Sequence, residues 1–123
     1  MSETKEKILY VATCAGENAE KASLPFVLAN AALAMEVDCA VALQSTGVYL
    51  AKKGYLENVF AAGLPPLKGL VQSFLDQGGR LLVCVPCIRE RQIGEEDLIE
   101  GAEPTAAAKL TMEILSANAC LVY

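Results

Sequence analysis

Leu81-Leu-Val-Cys-Val-Pro-Cys-Ile-Arg-Glu-Arg91 contains the change of period that decides the fold of this chain. From Arg80 to Val85 the residues are apolar after the first, as in a strand buried on both faces. Pro86 then suits the start of a helix, and Arg89, Glu90 and Arg91 supply a charged first turn or short helix to Arg91. The segment reads as a strand that hands over to a helix, with Cys84 and Cys87 at the junction.

The same alternation extends outward. Upstream, Pro65-Pro66 opens a helix through about Gln77, and Gly78-Gly79 ends it. Cys39–Leu43 is expected to be a strand, and a short helix near Val48–Lys53 is expected to follow the Gln44–Gly47 turn. Lys7–Thr13 reads as the first strand. Ser23 offers an N-cap and Pro25 a first turn to a helix over Leu24–Met35. That helix is apolar on nearly every side, so both of its faces are expected to be covered. Downstream come a helical piece over Glu95–Glu100 and a break at Gly101–Pro104 around a short strand. A helix over Thr105–Ala117, with Leu110, Ile114 and Leu115 facing inward, precedes a last strand, Ala119–Tyr123. Strands alternating with helices predict a single α/β domain over residues 1–123, with a mostly parallel sheet between helices.

Composition narrows the function. Hydrophobic residues make up 54% and charged residues 20%, which excludes a disordered chain. The net charge is −5 without a Lys/Arg block, which argues against direct binding to nucleic acid. Ala22–Met35 is too short an uncharged stretch to span a bilayer. The charged first seven residues precede no signal-type apolar region, so a soluble cytoplasmic protein without a membrane partner is expected. So much apolar surface on a small domain predicts burial between subunits. Histidine is absent, which removes Ser-His and Cys-His catalysis and every histidine metal site.

The five cysteines carry the candidate chemistry. Sites in open α/β sheets lie beyond the carboxyl ends of the strands. Cys14, Cys84 and Cys87 fall there, whereas Cys39 and Cys120 read as small buried hydrophobes. A helix start and nearby Arg89 and Arg91 are expected to lower the thiol pKa of the Cys84/Cys87 pair. Neither a four-ligand metal set nor a Gly-rich nucleotide loop is present, so no metal and no cofactor are expected.

These segments resemble the DsrE/DsrF-like family, which includes the TusD-type sulfur-relay subunits. The resemblance runs through Ala22–Met35, Val41–Ala51, Gly63–Leu67, Gly79–Cys87, Glu96–Ala102 and Ala119–Tyr123, in that order. It implies a parallel-sheet α/β fold and homo- or hetero-oligomers, commonly trimers or hexamers. It also implies a cysteine that carries sulfur as a persulfide, received from and passed to other proteins. In relay members that cysteine ends the third strand and an Arg follows seven positions on, which Cys84 and Arg91 match. Some members have a second cysteine three positions on, matched by Cys87. Where relatives commonly have Gly after the Arg, this chain has Gln92, and a changed local turn is expected.

Three functions remain open at the level of sequence. One is a sulfur carrier or sulfurtransferase using Cys84 and Cys87, supported by Arg89, Arg91 and Cys14. Another is a thiol–disulfide oxidoreductase working through Cys84-Val-Pro-Cys87. The third is a non-enzymatic oligomeric binding module in which the cysteines are structural.

Overall fold

A computed structural model describes residues 5–123. The charged start, residues 1–4, lies outside the described residues. Five parallel strands form one sheet: β1 (Lys7–Ala12), β2 (Asp38–Leu43), β3 (Arg80–Cys84), β4 (Ala102–Thr105) and β5 (Ala119–Val122), in the order β4-β3-β2-β1-β5. Four helices connect them: α1 (Ala19–Ala34), α2 (Leu67–Asp76), α3 (Val85–Glu90) and α4 (Ala107–Ser116). The expected fold class, a mostly parallel sheet with helices, is the one observed.

The order of the strands explains the layers. From β1 to β4 the chain steps in one direction across the sheet, and α1 and α2 cover a single face. The connection from β4 to β5 runs back across the whole sheet. A right-handed crossover in the reverse direction must pass over the opposite face. So α4 lies alone there. A ten-residue helix is about 15 Å long and about 10 Å wide. Five strands span about 19 Å, so one helix leaves part of that face bare.

Alternation along the strands divides the core in two. Tyr10, Val41, Leu43, Leu81 and Val83 meet α1 and α2, where the Phe26 and Phe74 rings pack edge to face at 5.5 Å. Leu9, Val11, Ala40, Ala42 and Leu82 form the smaller cluster beneath Leu110 of α4 and Ala117 at its C-terminal cap.

Several local expectations are corrected. α1 starts at Ala19, not Leu24, and Asn18 rather than Ser23 caps it, its Oδ1 accepting from the Lys21 N–H at 3.1 Å. Pro25 therefore lies inside the helix, with Ser23 buried beside it. Tertiary burial of Ala22, Phe26 and Ala29 outweighs the proline's local penalty. The short helix expected near Val48–Lys53 is a 3-10 helix over Ser45–Ala51, and Glu95–Glu100 keeps only a 3-10 turn at Glu95–Asp97. On α4 the inward positions are Leu110 and Glu113, followed by Ala117 just past the helix end. The expected inward residues Ile114 and Leu115 are exposed. Cys39 is buried as expected, but Cys120 is exposed, because β5 is an edge strand beyond the cover of α4. Gln92 stands in the left-handed region, with φ +57°.

Candidate functional site

The carboxyl ends of the strands carry the thiols. Cys84 closes β3 and occupies the N-cap position of α3, and Cys87 follows at the third residue of that helix. This geometry turns the Cys87 N–H toward Cys84, although no capping hydrogen bond forms. Both side chains are half-buried. The Cys87 sulfur accepts from the Ser45 N–H at 3.4 Å.

The loop after β2 that supplies this N–H is tightly held. Ser45 has φ +53°, a left-handed conformation that a non-glycine residue adopts at a cost. The Gln44 N–H donates to the Ala12 carbonyl at 3.0 Å, and the Gly47 N–H to the Gln44 carbonyl at 2.9 Å. A Cβ on Gly47 would lie 2.3 Å from the Ala12 carbonyl oxygen, so only glycine permits this approach. Thr46 Oγ1 meets the Thr13 carbonyl at 3.1 Å and also bonds Glu17. Burial works against the charge on Glu17, but hydrogen bonds from Thr46 and the Ala15 N–H outweigh it and hold the carboxyl below its ordinary pKa. Tyr55 Oη accepts from the Gly16 N–H at 2.8 Å. Ser45, Thr46, Glu17 and Tyr55 were not singled out from sequence. Ser-Thr-Gly reads only as a turn, and nothing in it announces a left-handed serine.

The expected effect on Cys84 is reversed. Burial pushes its thiol up, and the neighbouring Cys87 thiol pushes the same way. The Cys87 N–H and the Arg91 charge oppose them and do not win. The resting Cys84 is therefore a protonated thiol at neutral pH. Arg91 is half-buried and its Nη1 donates to the Cys87 carbonyl at 3.1 Å, which braces α3. Arg89 is exposed and, among the described residues, its side chain makes no hydrogen bond or ion pair. Cys14 follows β1, two strand spacings or about 10 Å from the end of β3. Its sulfur is 4.0 Å from Thr13 Oγ1. The structure thus brings together Cys84, Cys87 and Arg91, and leaves Arg89 and Cys14 apart.

Cys84 lines a pocket of about 260 Å3 between the ends of β2 and β3 and the first turns of α4. Ala42, Leu43, Leu82, Pro86 and Leu110 are among its walls. A larger hollow of about 540 Å3 lies at the opposite ends of β3 and β4, among Lys52, Lys68, Arg80 and Glu103. β3 separates it from Cys84 by about 13 Å, and no thiol lines it.

Among the described residues, no helix is long and apolar enough to cross a membrane. The DsrE/DsrF-like family matches the chain over residues 6–123. An uncharacterised protein of Methanocaldococcus jannaschii is 33% identical over 102 residues, which are 83% of this chain and 37% of that protein. The chain thus spans well under half the length of that relative. A second uncharacterised protein of the same organism is 33% identical, over 79% of this chain and 82% of its own length. Among solved structures, the ychN protein from E. coli superposes with a TM-score of 0.81 at 24% identity, covering 96% of this chain and 99% of that one. A protein of unknown function from Methanobacterium thermoautotrophicum superposes at 0.68 with 15% identity, covering 98% and 100%. At these identities the structural likeness establishes the fold.

Proposed function

The chain belongs to the DsrE/DsrF-like family, and we propose that it is a sulfur carrier in which Cys84 holds sulfane sulfur as a persulfide. One observation carries this reading: Cys84 and Cys87 stand side by side at the carboxyl end of β3, and Cys84 lines a pocket. A donor persulfide R–S–SH would react with the Cys84 thiol to give Cys84–S–SH and R–SH. The proton of Cys84 leaves with the donor's inner sulfur. A persulfide is a stronger acid than its parent thiol, so charge arises at Cys84 on loading. The Cys87 N–H and Arg91 favour that charge. An acceptor thiol would then take the outer sulfur and restore Cys84–SH. Cys87 supplies a second exit. Its thiol attacks the inner sulfur of Cys84, forms the Cys84–Cys87 disulfide and releases hydrogen sulfide.

Intact-mass analysis after incubation with a persulfide donor tests this. The wild type should gain one sulfur atom and Cys84→Ser none, while Cys87→Ser should load and release more slowly. Loading that survives in Cys84→Ser and disappears in Cys87→Ser would reverse the roles. Loading unchanged in both single variants and in the double variant would sink the carrier reading. The adjacency of the two thiols also favours disulfide exchange, which an insulin-reduction assay would detect.

We further propose self-association, in a trimer or hexamer. The outer side of α4 exposes Met112 and Leu115 at 69% and 80%, and Val122 of β5 is 70% exposed. Burying them contributes about 25 cal/mol per Å2. Light scattering should give a multiple of 13.0 kDa. A Met112→Glu/Leu115→Lys variant should lower it, whereas a wild-type monomer at micromolar concentration would contradict the proposal.

A further inference from the structure

The pocket beside Cys84 has walls without ionised side chains: no Lys, Arg, Asp or Glu lines it. Three polar side chains reach it, Gln44, Thr105 and Thr111. Two are already engaged: Thr105 Oγ1 donates to the Glu103 carbonyl at 2.9 Å, and Thr111 Oγ1 to the Ala107 carbonyl at 2.9 Å. Among the described residues, the Gln44 carboxamide is left as the free polar side chain. The rest of the lining is aliphatic, including Leu82, Leu110 and Ile114. Lys109 and Arg80 pair with Glu103, and Arg91, whose charge reaches Cys84, lies outside this lining with its guanidinium on the Cys87 carbonyl. The first turn of α4 contributes a fractional positive potential, enough to favour one sulfur anion at Cys84 and too little to replace the water around a sulfonate or carboxylate. The volume is below that of drug-sized sites and fits a short alkyl or aryl group.

We propose that this pocket selects small, uncharged organosulfur donors, alkyl or aryl hydropersulfides, and refuses anionic ones. The inference rests on Cys84 as the carrier and names the substrate class of that site. The transfer is R–S–SH + Cys84–SH → R–SH + Cys84–S–SH, with R an uncharged group seated against Leu82 and Leu110. It involves no net oxidation.

Two measurements separate the pocket's selectivity from the carrier reading. The first is alkylation of Cys84 by iodoacetamide and by iodoacetate, reagents of nearly equal size that differ by one charge, mapped by peptide mass spectrometry. The ratio of their rates at Cys84 should exceed that of free cysteine about tenfold, because the carboxylate must shed water against walls that carry no cation to pair with it. Thr111→Lys, at an exposed helix position, should bring the ratio back toward that of free cysteine. A wild-type ratio equal to that of free cysteine overturns the proposal. The second compares sulfur loading from benzyl hydropersulfide and from 2-sulfonatoethyl hydropersulfide, with the first expected to be faster by about tenfold. Equal loading rates also overturn it. If neither donor loads Cys84 while the alkylation ratio stays high, the carrier reading fails and the pocket's preference for neutral reagents stands.

Discussion

Glu113 points inward from α4 in the middle of an otherwise apolar contact, and its replacement by Gln tests what seats that helix. It is 9% exposed. Its carboxylate takes Lys7 Nζ at 2.5 Å and Arg80 Nη1 at 2.8 Å, so it joins α4 to the starts of β1 and β3. Removing one partner of a fully buried pair costs about 3–5 kcal/mol. Here the Lys7 and Arg80 side chains are 21% and 40% exposed, and water recovers part of the loss. Arg80 also keeps Glu103 at 3.3 Å, and Lys7 keeps Ser116 Oγ at 2.9 Å. Glu113→Gln should therefore cost about 2 kcal/mol, a fall of about 8 °C in Tm for a domain of this size. Urea unfolding would show it as a lower midpoint at unchanged m. The pH dependence follows from the acidity of the group. Burial raises the Glu113 pKa, but hydrogen bonds and charge from Lys7 and Arg80 outweigh it, so the folded value lies below the ordinary one. In the unfolded chain a glutamate titrates near ~4.3. Between the two values the unfolded state binds more protons, so stability rises with pH there. The contribution is complete above that window and is lost as pH falls through the folded pKa. The gap between wild type and variant should thus narrow below about pH 4. A gap under about 0.5 kcal/mol at pH 7, or one that widens on acidification, would refute this account of α4.

Gly47→Ala should destabilise by about 1–3 kcal/mol, since its Cβ must displace the Ala12 backbone; an unchanged urea midpoint would contradict the close approach. Gln92→Gly should stabilise by up to about 1 kcal/mol, because its φ of +57° suits glycine, and a lower melting temperature would count against that. Cys39→Ala should cost about 1 kcal/mol, as the thiol is buried and donates to the Ala29 carbonyl at 3.4 Å. Cys120→Ala, on the exposed edge strand, should stay within about 0.5 kcal/mol of wild type, with equal losses at both sites being the contrary result.

The succession of strands and helices was legible in the chain because apolar runs, prolines and glycine pairs are local signals. Arg80–Cys84 and Leu67–Asp76 lie within a residue or two of where those signals put them. The position of Cys84 and Cys87 beyond a strand end was legible for the same reason. Three features depended on which elements meet in space. Periodicity reports that α4 is amphipathic, but the return crossover turns Glu113 toward the sheet because Lys7 and Arg80 wait there, and leaves Met112 and Leu115 outside. A helix start and two arginines suggest an acidic thiol, yet burial beside Cys87 outweighs them, and burial is a property of the packed molecule. The Ser45 N–H reaches Cys87 across 42 positions of sequence, through a left-handed residue that is not glycine and so carries no local signal of its conformation. Local sequence determines the elements and the reactive residues, while the crossover that carries the chain back over the sheet decides which face is bare, where the pocket opens and how acidic its thiol is.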